Sequence, residues 1–180
     1  TNADATPASY TWTVDTTPPD TTITANPAAI TNSTSASFSF TATEGGSTFE
    51  CKLDSGGWGA CTSPQSYTGL AEGSHAFQVR ATDAVGNIDA SPASFTWTID
   101  TTAPDTSLTS TPPASSNSSS ATFTFSSPDG TATFECQIDG AAWAACVSPK
   151  SYSALADGSH TFGVRAKDPA GNTDATPATF

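Results

Sequence analysis

The sequence repeats itself with a fixed period, and this constrains the fold more than any other feature. Cys51 recurs as Cys136, and 136 − 51 = 85 residues. The segments 16–95 and 101–180 align without a gap and are identical at about half of their positions. A fixed period indicates one structural module used in series. An active site is seldom copied together with its supporting residues, so the repeat predicts a length-building or multivalent module and no enzyme.

The period fits one small domain per repeat, because domains usually contain roughly 50–250 residues. We therefore predict three parts: the last strand and linker of a preceding repeat at 1–15, a first repeat at 16–100, and a second repeat at 101–180 that lacks the end of its last strand. A chain that begins inside a repeat is interpreted as an internal piece of a longer or processed protein.

The charge balance excludes two classes of partner. Five Lys and Arg residues stand against 17 Asp and Glu residues, which gives a net charge of −12. Such a chain repels nucleic acid and anionic membrane surfaces. No apolar run approaches the length of about 18 residues that a membrane span needs, so none is expected in this segment.

The cysteines occur as one pair per repeat with equal spacing. Cys51 and Cys61 are 10 residues apart, as are Cys136 and Cys146. Paired cysteines in a small Ser- and Thr-rich domain favour disulfides and an oxidising, extracellular location. Zinc binding is the rival interpretation, but it usually needs closer cysteines and further Cys or His ligands. Reduced, buried cysteines are the third.

Alternation of apolar and polar residues predicts β-strands throughout, since no window shows a helical period. The clearest cases are 37–41, 49–53, 75–82 and 93–99, and shorter strands are expected at 21–25, 58–62 and 66–70. About seven half-polar strands per repeat, separated by Gly- and Asp-containing turns, are typical of an antiparallel β-sandwich. Trp97, in the last strand, is expected in the core.

Several motifs resemble bacterial immunoglobulin-like (Big-type) repeats of large surface and secreted proteins. They are Phe-Glu-Cys-Lys-Leu-Asp at 49–54, Thr-Gly-Leu-Ala-Glu-Gly-Ser-His at 68–75, Val-Arg-Ala-Thr-Asp-Ala-Val-Gly-Asn at 79–87 and Trp-Thr-Ile-Asp-Thr-Thr-Ala-Pro-Asp at 97–105. The Gly-Leu-x-x-Gly turn is also similar to fibronectin type III modules. The resemblance implies an all-β fold of tandem seven-stranded antiparallel Ig-like or fibronectin III-like β-sandwiches. It implies a stalk or spacer role in adhesins, on the cell surface or in filaments.

The linkers between repeats combine proline with aspartate. Proline fixes φ and limits bending, so a stiff joint is expected. Strand alternation places the loop that begins at Asp83, and its counterpart at Asp168, beside the incoming linker. Ca²⁺ takes roughly 6–8 oxygen ligands. The resemblance to bacterial immunoglobulin-like repeats implies that Ca²⁺ stiffens these joints. The candidate Ca²⁺ ligands are Asp15, Asp20, Asp83, Asp100, Asp105 and Asp168. Alternatively, the loop aspartates cap their own turns and the linker aspartates are solvated.

Three functions remain open from the sequence. The first is a structural spacer of an extracellular bacterial surface or filamentous protein, whose partners are neighbouring repeats. The second is a fibre subunit that polymerises by donating a strand, since 8–15 reads as a lone last strand. The third is a glycan- or protein-binding module that uses the loops near Trp58 and Trp143.

Overall fold

The computed structural model of this chain describes residues 6–180. Within these residues the first repeat contains eight strands: β1 (Thr21–Ala25), β2 (Ile30–Thr31), β3 (Ala36–Ala42), β4 (Thr48–Leu53), β5 (Gly59–Cys61), β6 (Gln65–Tyr67), β7 (Gly73–Thr82) and β8 (Ala93–Ile99). The second repeat contains seven: β9 (Ser107–Ser110), β10 (Ala121–Ser126), β11 (Thr133–Ile138), β12 (Ala144–Cys146), β13 (Lys150–Tyr152), β14 (Phe162–Lys167) and β15 (Ala178–Thr179). The described residues include no helix that is long and apolar enough to cross a membrane.

Each repeat builds two open sheets. The first has a three-stranded sheet in the order β1-β3-β6 and a five-stranded sheet in the order β2-β8-β7-β4-β5. The second has the orders β13-β10-β9 and β12-β11-β14-β15. The β4–β7 pair is antiparallel, with Cys51 opposite Val79, and the β11–β14 pair repeats this register with Cys136 opposite Val164.

The alternation of the sequence becomes the alternation of burial. In β7, His75, Phe77, Val79 and Ala81 are buried, whereas the residues between them are partly exposed. This is the pattern of a strand with one face on a core and the other towards solvent. The prediction of an all-β sandwich is confirmed. Six of the seven predicted strands of the first repeat are present within one or two residues of their predicted ends, and the strand predicted at 66–70 is shorter, Gln65–Tyr67.

Strand β2 was not predicted from the sequence. It contains only two residues and pairs in parallel with β8, Ile30 lying opposite Thr98. Two residues are too few to show any alternation, so this strand depends on the neighbour that it pairs with and carries no signal of its own.

Stacked phenylalanine rings form the centre of each core. The ring centroids of Phe38 and Phe77 are 4.1 Å apart, and those of Phe123 and Phe162 are 4.0 Å apart. All four side chains are nearly inaccessible to solvent. Burying one such ring stabilises the fold by about 1.5–3 kcal/mol, and an aromatic pair adds about 0.5–1.5 kcal/mol.

A disulfide links the two strands of the β4–β5 hairpin. Cys51 and Cys61 are bonded with their Cα atoms 5.8 Å apart. The register places Cys61 opposite Phe49 and Cys51 opposite Gly59, so the bond joins diagonal neighbours and not directly opposed residues. The β11–β12 hairpin has the same bond, between Cys136 and Cys146. No cysteine in the described residues is free.

By Cα proximity the chain divides into two compact units that are interleaved in sequence. The first contains residues through Asn26 together with Ser37–Ser66 and Ala76–Phe95. The second contains Pro27–Ala36, Tyr67–His75 and Thr96–Phe180. The linker near residue 100 and the first-repeat segments beside it therefore belong to the second unit. The boundaries predicted from the period, after residues 15 and 100, stay a prediction.

The segment before β1 carries no strand in its described part, residues 6–20. The predicted segment 1–15 begins with residues 1–5, which lie outside the described residues. Tyr10, Trp12 and Val14 are 82%, 73% and 75% exposed. The interpretation of this segment as the last strand of a preceding repeat stays a prediction.

Candidate functional site: the linkers and the loops that bind them

Each repeat carries one loop with the pattern Asp-x-x-Gly-Asn, at 83–87 and 168–172, which we name the Asp–Asn loops. In the first, Asp83 Oδ1 accepts hydrogen bonds from the backbone N–H groups of Val85, Gly86 and Asn87, at 2.9, 2.7 and 2.8 Å. Gly86 has a φ of 101°, a conformation that glycine adopts at no steric cost. The buried aspartate thus organises its own turn.

The second Asp–Asn loop repeats these contacts. Asp168 Oδ1 accepts from the N–H groups of Gly171 and Asn172, at 2.7 and 2.8 Å, and Asp168 Oδ2 accepts from Asn172 Nδ2 at 2.7 Å. Asp83 Oδ2 and Asn87 Nδ2 form the equivalent bond, also at 2.7 Å. Both aspartates therefore make the contacts of turn caps, the alternative to metal binding raised by the sequence.

The asparagine of each loop also binds the incoming linker. Asn87 Nδ2 donates to the carbonyl of Asp15 at 3.1 Å, and Asn172 Nδ2 donates to the carbonyl of Asp100 at 2.8 Å. The same amide nitrogen also donates to the aspartate of its loop, so the loop itself fixes the orientation of the amide. We name the hydrogen bond from the asparagine of each loop to the linker carbonyl the linker clamp.

The main chain at Thr98 and Asp100, where β8 leads into the second linker, is also bound by residues of the first repeat. All of these residues belong to the second compact unit. The N–H of Thr98 donates to the carbonyl of Ala29, and the N–H of Asp100 donates to the carbonyl of Thr31, both at 2.9 Å. Asp100 Oδ1 accepts from the N–H of Thr102 at 3.0 Å, which closes an Asx turn. Asp100 thus has hydrogen bonds to residues on both sides of the linker.

Glu72 adds a side-chain contact to the same linker. Glu72 Oε2 accepts from the hydroxyl of Thr101 at 2.6 Å, and Oε1 accepts from the hydroxyl of Thr102 at 3.1 Å. These hydroxyl donors, Thr101 first, lower the pKa of Glu72 despite the opposing effect of burial. The carboxylate is therefore held in its charged form, which is the better acceptor.

One backbone hydrogen bond joins the two repeats directly, again within the second compact unit. The N–H of Asn32 donates to the carbonyl of Ala170, in the second Asp–Asn loop, at 3.2 Å. The contacts around this linker therefore include the Asn32–Ala170 bond, the linker clamp at Asp100 and the bonds of Glu72 to Thr101 and Thr102.

Three carboxylates converge at the first linker. Oxygens of Asp15, Glu44 and Asp83 lie within 4.8 Å of one another, and among residues 6–180 no other group of three His, Cys, Asp or Glu residues meets this criterion. Burial first, then the charges of Asp15 and Asp83, raises the pKa of Glu44. A cation would relieve this repulsion. However, Asp83 already accepts four hydrogen bonds, about the capacity of a carboxylate, so it has little left for a metal.

The remaining predicted ligands do not join such a group. Asp20 is exposed and pairs through its main chain with Thr43: its N–H donates to the hydroxyl at 2.9 Å, and its carbonyl accepts from the Thr43 N–H at 2.9 Å. Asp105 is exposed. Asp100 and Asp168 lie at the second linker, where the counterpart of Glu44 is Asp129. Asp129 Oδ1 instead accepts from the N–H and hydroxyl of Thr131, at 2.8 and 2.7 Å.

The tryptophans near the hairpin tips are covered by arginines. The guanidinium carbon of Arg80 lies 4.4 Å from the ring centroid of Trp58, and Arg80 Nη2 also pairs with Glu50 Oε2 at 2.7 Å. Arg165 lies over Trp143 in the same way, at 4.5 Å. One face of each ring is therefore occupied, which weighs against stacking of a sugar on that face.

The fold is similar to solved structures of bacterial repeat modules. The fibronectin(III)-like modules of CbhA from Clostridium thermocellum match with a TM-score of 0.56 at 19% identity, over 89% of this chain and 91% of theirs. A region of a 1.5-MDa bacterial ice-binding adhesin, solved to study its retention on the host cell surface, matches with a TM-score of 0.51 at 14% identity, over 92% of this chain and 64% of its own.

This chain has an immunoglobulin- and fibronectin III-like β-sandwich fold. At such low identities the likeness establishes the fold alone. No protein-family model matches the sequence, and no curated protein matches it significantly. The coarser part of the resemblance, an Ig- or fibronectin III-like repeat, is confirmed, whereas the Big-type assignment stays a prediction.

Sequence reasoning missed three residues of this site. Glu44 follows β3, 29 residues after Asp15, and only the folded chain brings the two together. Glu72 was read as part of a turn, yet its carboxylate binds the linker. Asn172 lies in the loop that the sequence places beside the linker, but its amide was not predicted to bind the linker carbonyl. Asn87 and Asn172 follow the same Asp-x-x-Gly spacing in the two repeats, and this repetition is the signal that points to a shared role.

Proposed function

We propose that this chain is a segment of a spacer array in an extracellular bacterial surface or filamentous protein, where it contributes to adhesion or surface display. The observation that carries this proposal is the main chain of Asp100, directly after β8: its N–H binds the Thr31 carbonyl of the first repeat, and its carbonyl binds Asn172 of the second. Bending such a joint requires breaking several hydrogen bonds together, so a load-transmitting role suits it better than a flexible tether does.

Proline supports the same role. Pro19 and Pro104 precede the first strands of the two repeats and are both buried. A proline has a fixed φ, and its burial anchors the end of the linker in the domain that follows. The linkers therefore have few freely rotating bonds, which favours a short stiff joint over a random coil.

The proposed location follows from the covalent chemistry and the charge. Each hairpin has a disulfide, and such bonds persist in oxidising compartments. The net charge of −12 keeps a long array soluble and gives it no attraction to nucleic acid. The ice-binding adhesin that shares this fold is a surface protein, which supports a comparable setting for this chain.

Nuclear magnetic resonance relaxation tests the spacer proposal directly. Backbone ¹⁵N relaxation rates would be measured for the 180-residue chain, and a rotational correlation time would be fitted separately to β3–β7 and to β10–β14. We expect a single correlation time for both repeats, because the joint is bonded on both sides. Two clearly shorter and different times would mean that the repeats reorient independently, and the proposal would be abandoned.

We further propose that Ca²⁺ binds at the first linker, with Asp15 and Glu44 as its main ligands and Asp83 as a weaker one. The convergence of three carboxylates supports this, and the hydrogen bonds already made by Asp83 predict weak binding. Isothermal titration of the chelator-treated chain with Ca²⁺ would measure it, with Glu44→Gln as the matched variant. Equal heats for both proteins, or no heat for either, would exclude the site.

A further inference from the structure

A cavity of about 180 Å³ lies in the second repeat, within the second compact unit, and is lined by residues of the β11–β12 hairpin and of β13. Strands β12 and β13 are edge strands of the two sheets of this repeat, so the cavity lies at the side of the sandwich where both sheets end. Its wall is mainly apolar and includes the Cys136–Cys146 disulfide, Ile138, the ring of Tyr152 and four alanines, Ala141, Ala142, Ala144 and Ala145.

One cationic side chain forms part of the same wall. Lys150 is half-buried, and its Nζ lies 5.2 Å from the ring centroid of Tyr152. The salt bridges among residues 6–180 involve Arg80, Arg165 and His160, and not Lys150. None of the described residues that line the cavity is acidic. The ammonium group therefore faces an apolar cavity without a carboxylate beside it, although the chain has a net charge of −12.

The volume and the charge of this cavity define the ligand that fits it. An apolar cavity of about 150 Å³ holds a benzene molecule, so the body of the ligand has about six carbon atoms. A carboxylate on this body would form a charge-assisted hydrogen bond with the ammonium group of Lys150, and such bonds are about twice as strong as neutral ones. An apolar wall with a few polar groups that fix the orientation of the ligand is typical of small-molecule sites.

The first repeat differs at the residues on which this site depends. The counterpart of Lys150, 85 residues earlier, is the uncharged Gln65. Three alanines of the wall are replaced by glycines, since Ala141, Ala142 and Ala144 correspond to Gly56, Gly57 and Gly59. The same place in the first repeat therefore has neither the cation nor these methyl groups. The first repeat consequently provides a control within the same molecule.

We propose that the cavity beside the Cys136–Cys146 disulfide binds a small monocarboxylate with an apolar body of about six carbon atoms. The body packs against Ile138 and the ring of Tyr152, and the carboxylate accepts a hydrogen bond from Lys150 Nζ. The four alanines of the wall are exposed, so the cavity is open to solvent on that side. Because the ligand is small and only partly enclosed, the expected dissociation constant is on the order of 1 mM.

Titration of the 180-residue chain with sodium benzoate up to about 20 mM, at pH 7 and constant ionic strength, tests this inference through ¹H–¹⁵N correlation spectra. Benzoate is ionised at this pH, and its ring has the required size. We expect saturating shifts at Ala144–Cys146 and Tyr152, and none at their counterparts Gly59–Cys61 and Tyr67. Benzamide has the same shape without the charge and should bind about tenfold more weakly, because it cannot form the charge-assisted bond.

Two lysine variants separate the site from the net charge of the chain. Lys150→Gln introduces the residue that the first repeat has at this position, and it should weaken benzoate binding by about tenfold or more. Lys167→Gln is the matched control: it removes the same charge from the exposed end of β14, outside the cavity, and should bind benzoate as the parent chain does.

A parent chain without saturating shifts would overturn the proposal. So would equal shifts in the first repeat, equal affinity for benzamide, or binding that Lys150→Gln leaves unchanged, because another surface or apolar contact alone would then be responsible. An equal loss of binding in Lys167→Gln would also overturn it, because binding would then follow the net charge. None of these outcomes bears on the spacer proposal, which is tested by relaxation of the unliganded chain.

Discussion

The linker clamp gives the sharpest test of how the joint works, through the substitution Asn172→Ala. This change removes the side-chain bond to Asp168 Oδ2 at 2.7 Å and the bond to the Asp100 carbonyl at 2.8 Å. A hydrogen bond to a charged group contributes about 1.5–3 kcal/mol and a neutral one about 0.5–1.5 kcal/mol. Asp168 keeps its backbone donors, so we expect the free energy of unfolding to fall by about 2–3 kcal/mol.

The first repeat supplies the matched control. Asn87→Ala removes the equivalent bonds, to Asp83 Oδ2 at 2.7 Å and to the Asp15 carbonyl at 3.1 Å. It should cost a similar free energy of unfolding. It leaves the linker near Asp100 untouched, so any difference in inter-repeat motion between the two variants belongs to the joint.

Two measurements separate the local effect from the effect on the joint. Urea unfolding followed by tryptophan fluorescence gives the stability loss of each variant, and ¹⁵N relaxation gives the correlation times of the repeats. We expect Asn172→Ala alone to give separate correlation times. If Asn172→Ala changes stability by less than about 0.5 kcal/mol, or if both variants retain a single correlation time, the clamp does not hold the joint.

Three further predictions concern single repeats. Replacing Cys136 and Cys146 by alanine opens a loop with a sequence separation of 10 residues and should lower the free energy of unfolding of the second repeat by about 3 kcal/mol, measured by urea unfolding. Glu44→Gln should raise the melting temperature at pH 7, because the raised pKa of Glu44 means that its charged form is disfavoured in the fold. The carbonyl of Ala156 first, and then Asp139, raises the pKa of His160, so stability should fall as pH rises from below 6.5 through that raised pKa, and His160→Gln should remove this fall.

Each of these predictions has its own contradiction. Equal stability of the reduced and oxidised parent chain would contradict the role of the disulfide. Glu44→Gln should give no gain near pH 3, where Glu44 is protonated, and a gain at that pH would point to another cause. For His160 the sign is fixed: the protonated ring has acceptors at both nitrogens, Asp139 at 2.7 Å and Ala156 at 2.9 Å, so stability that rises from pH 6 to 8 would refute the argument.

The strands could be predicted from the sequence because their signal is local. In β3 the alternate residues Ala36, Phe38 and Phe40 are apolar and buried, and in β7 so are Phe77, Val79 and Ala81. The pairing of cysteines was likewise accessible, since equal spacing in both repeats favours one bond per hairpin. The diagonal geometry of that bond could not be predicted, because the register of β4 and β5 depends on the length of the turn between them.

The candidate site was only partly predictable because its contacts join distant segments. Strand alternation predicted that the loop at Asp83 lies near the linker at Asp15, and in the structure their carboxylate oxygens lie within 4.8 Å of each other. The third carboxylate, on Glu44, comes from the β3–β4 loop, whose path is set by packing. Its counterpart Asp129 has a side chain one carbon shorter and binds Thr131 instead, so two repeats of similar sequence differ at this point.

The role of the asparagines was hidden by their chemistry. An amide offers both an oxygen and two N–H groups, so the residue type alone does not indicate which of them is used. The structure uses the N–H groups of Asn87 and Asn172, one for the loop carboxylate and one for the linker carbonyl. Because the asparagine binds a main-chain carbonyl, the contact requires no particular side chain in the linker. The linker sequence therefore carries no pattern that predicts this contact.

The linker clamp binds a peptide carbonyl, which every amino acid possesses. This bond consequently requires no particular side chain at the residue whose carbonyl accepts it. After duplication or deletion of a whole 85-residue period, the new pair of neighbouring repeats would still have the asparagine and the linker carbonyl that form the clamp. The length of such a protein could change by unequal recombination in a single step, with no new fit between neighbours having to evolve.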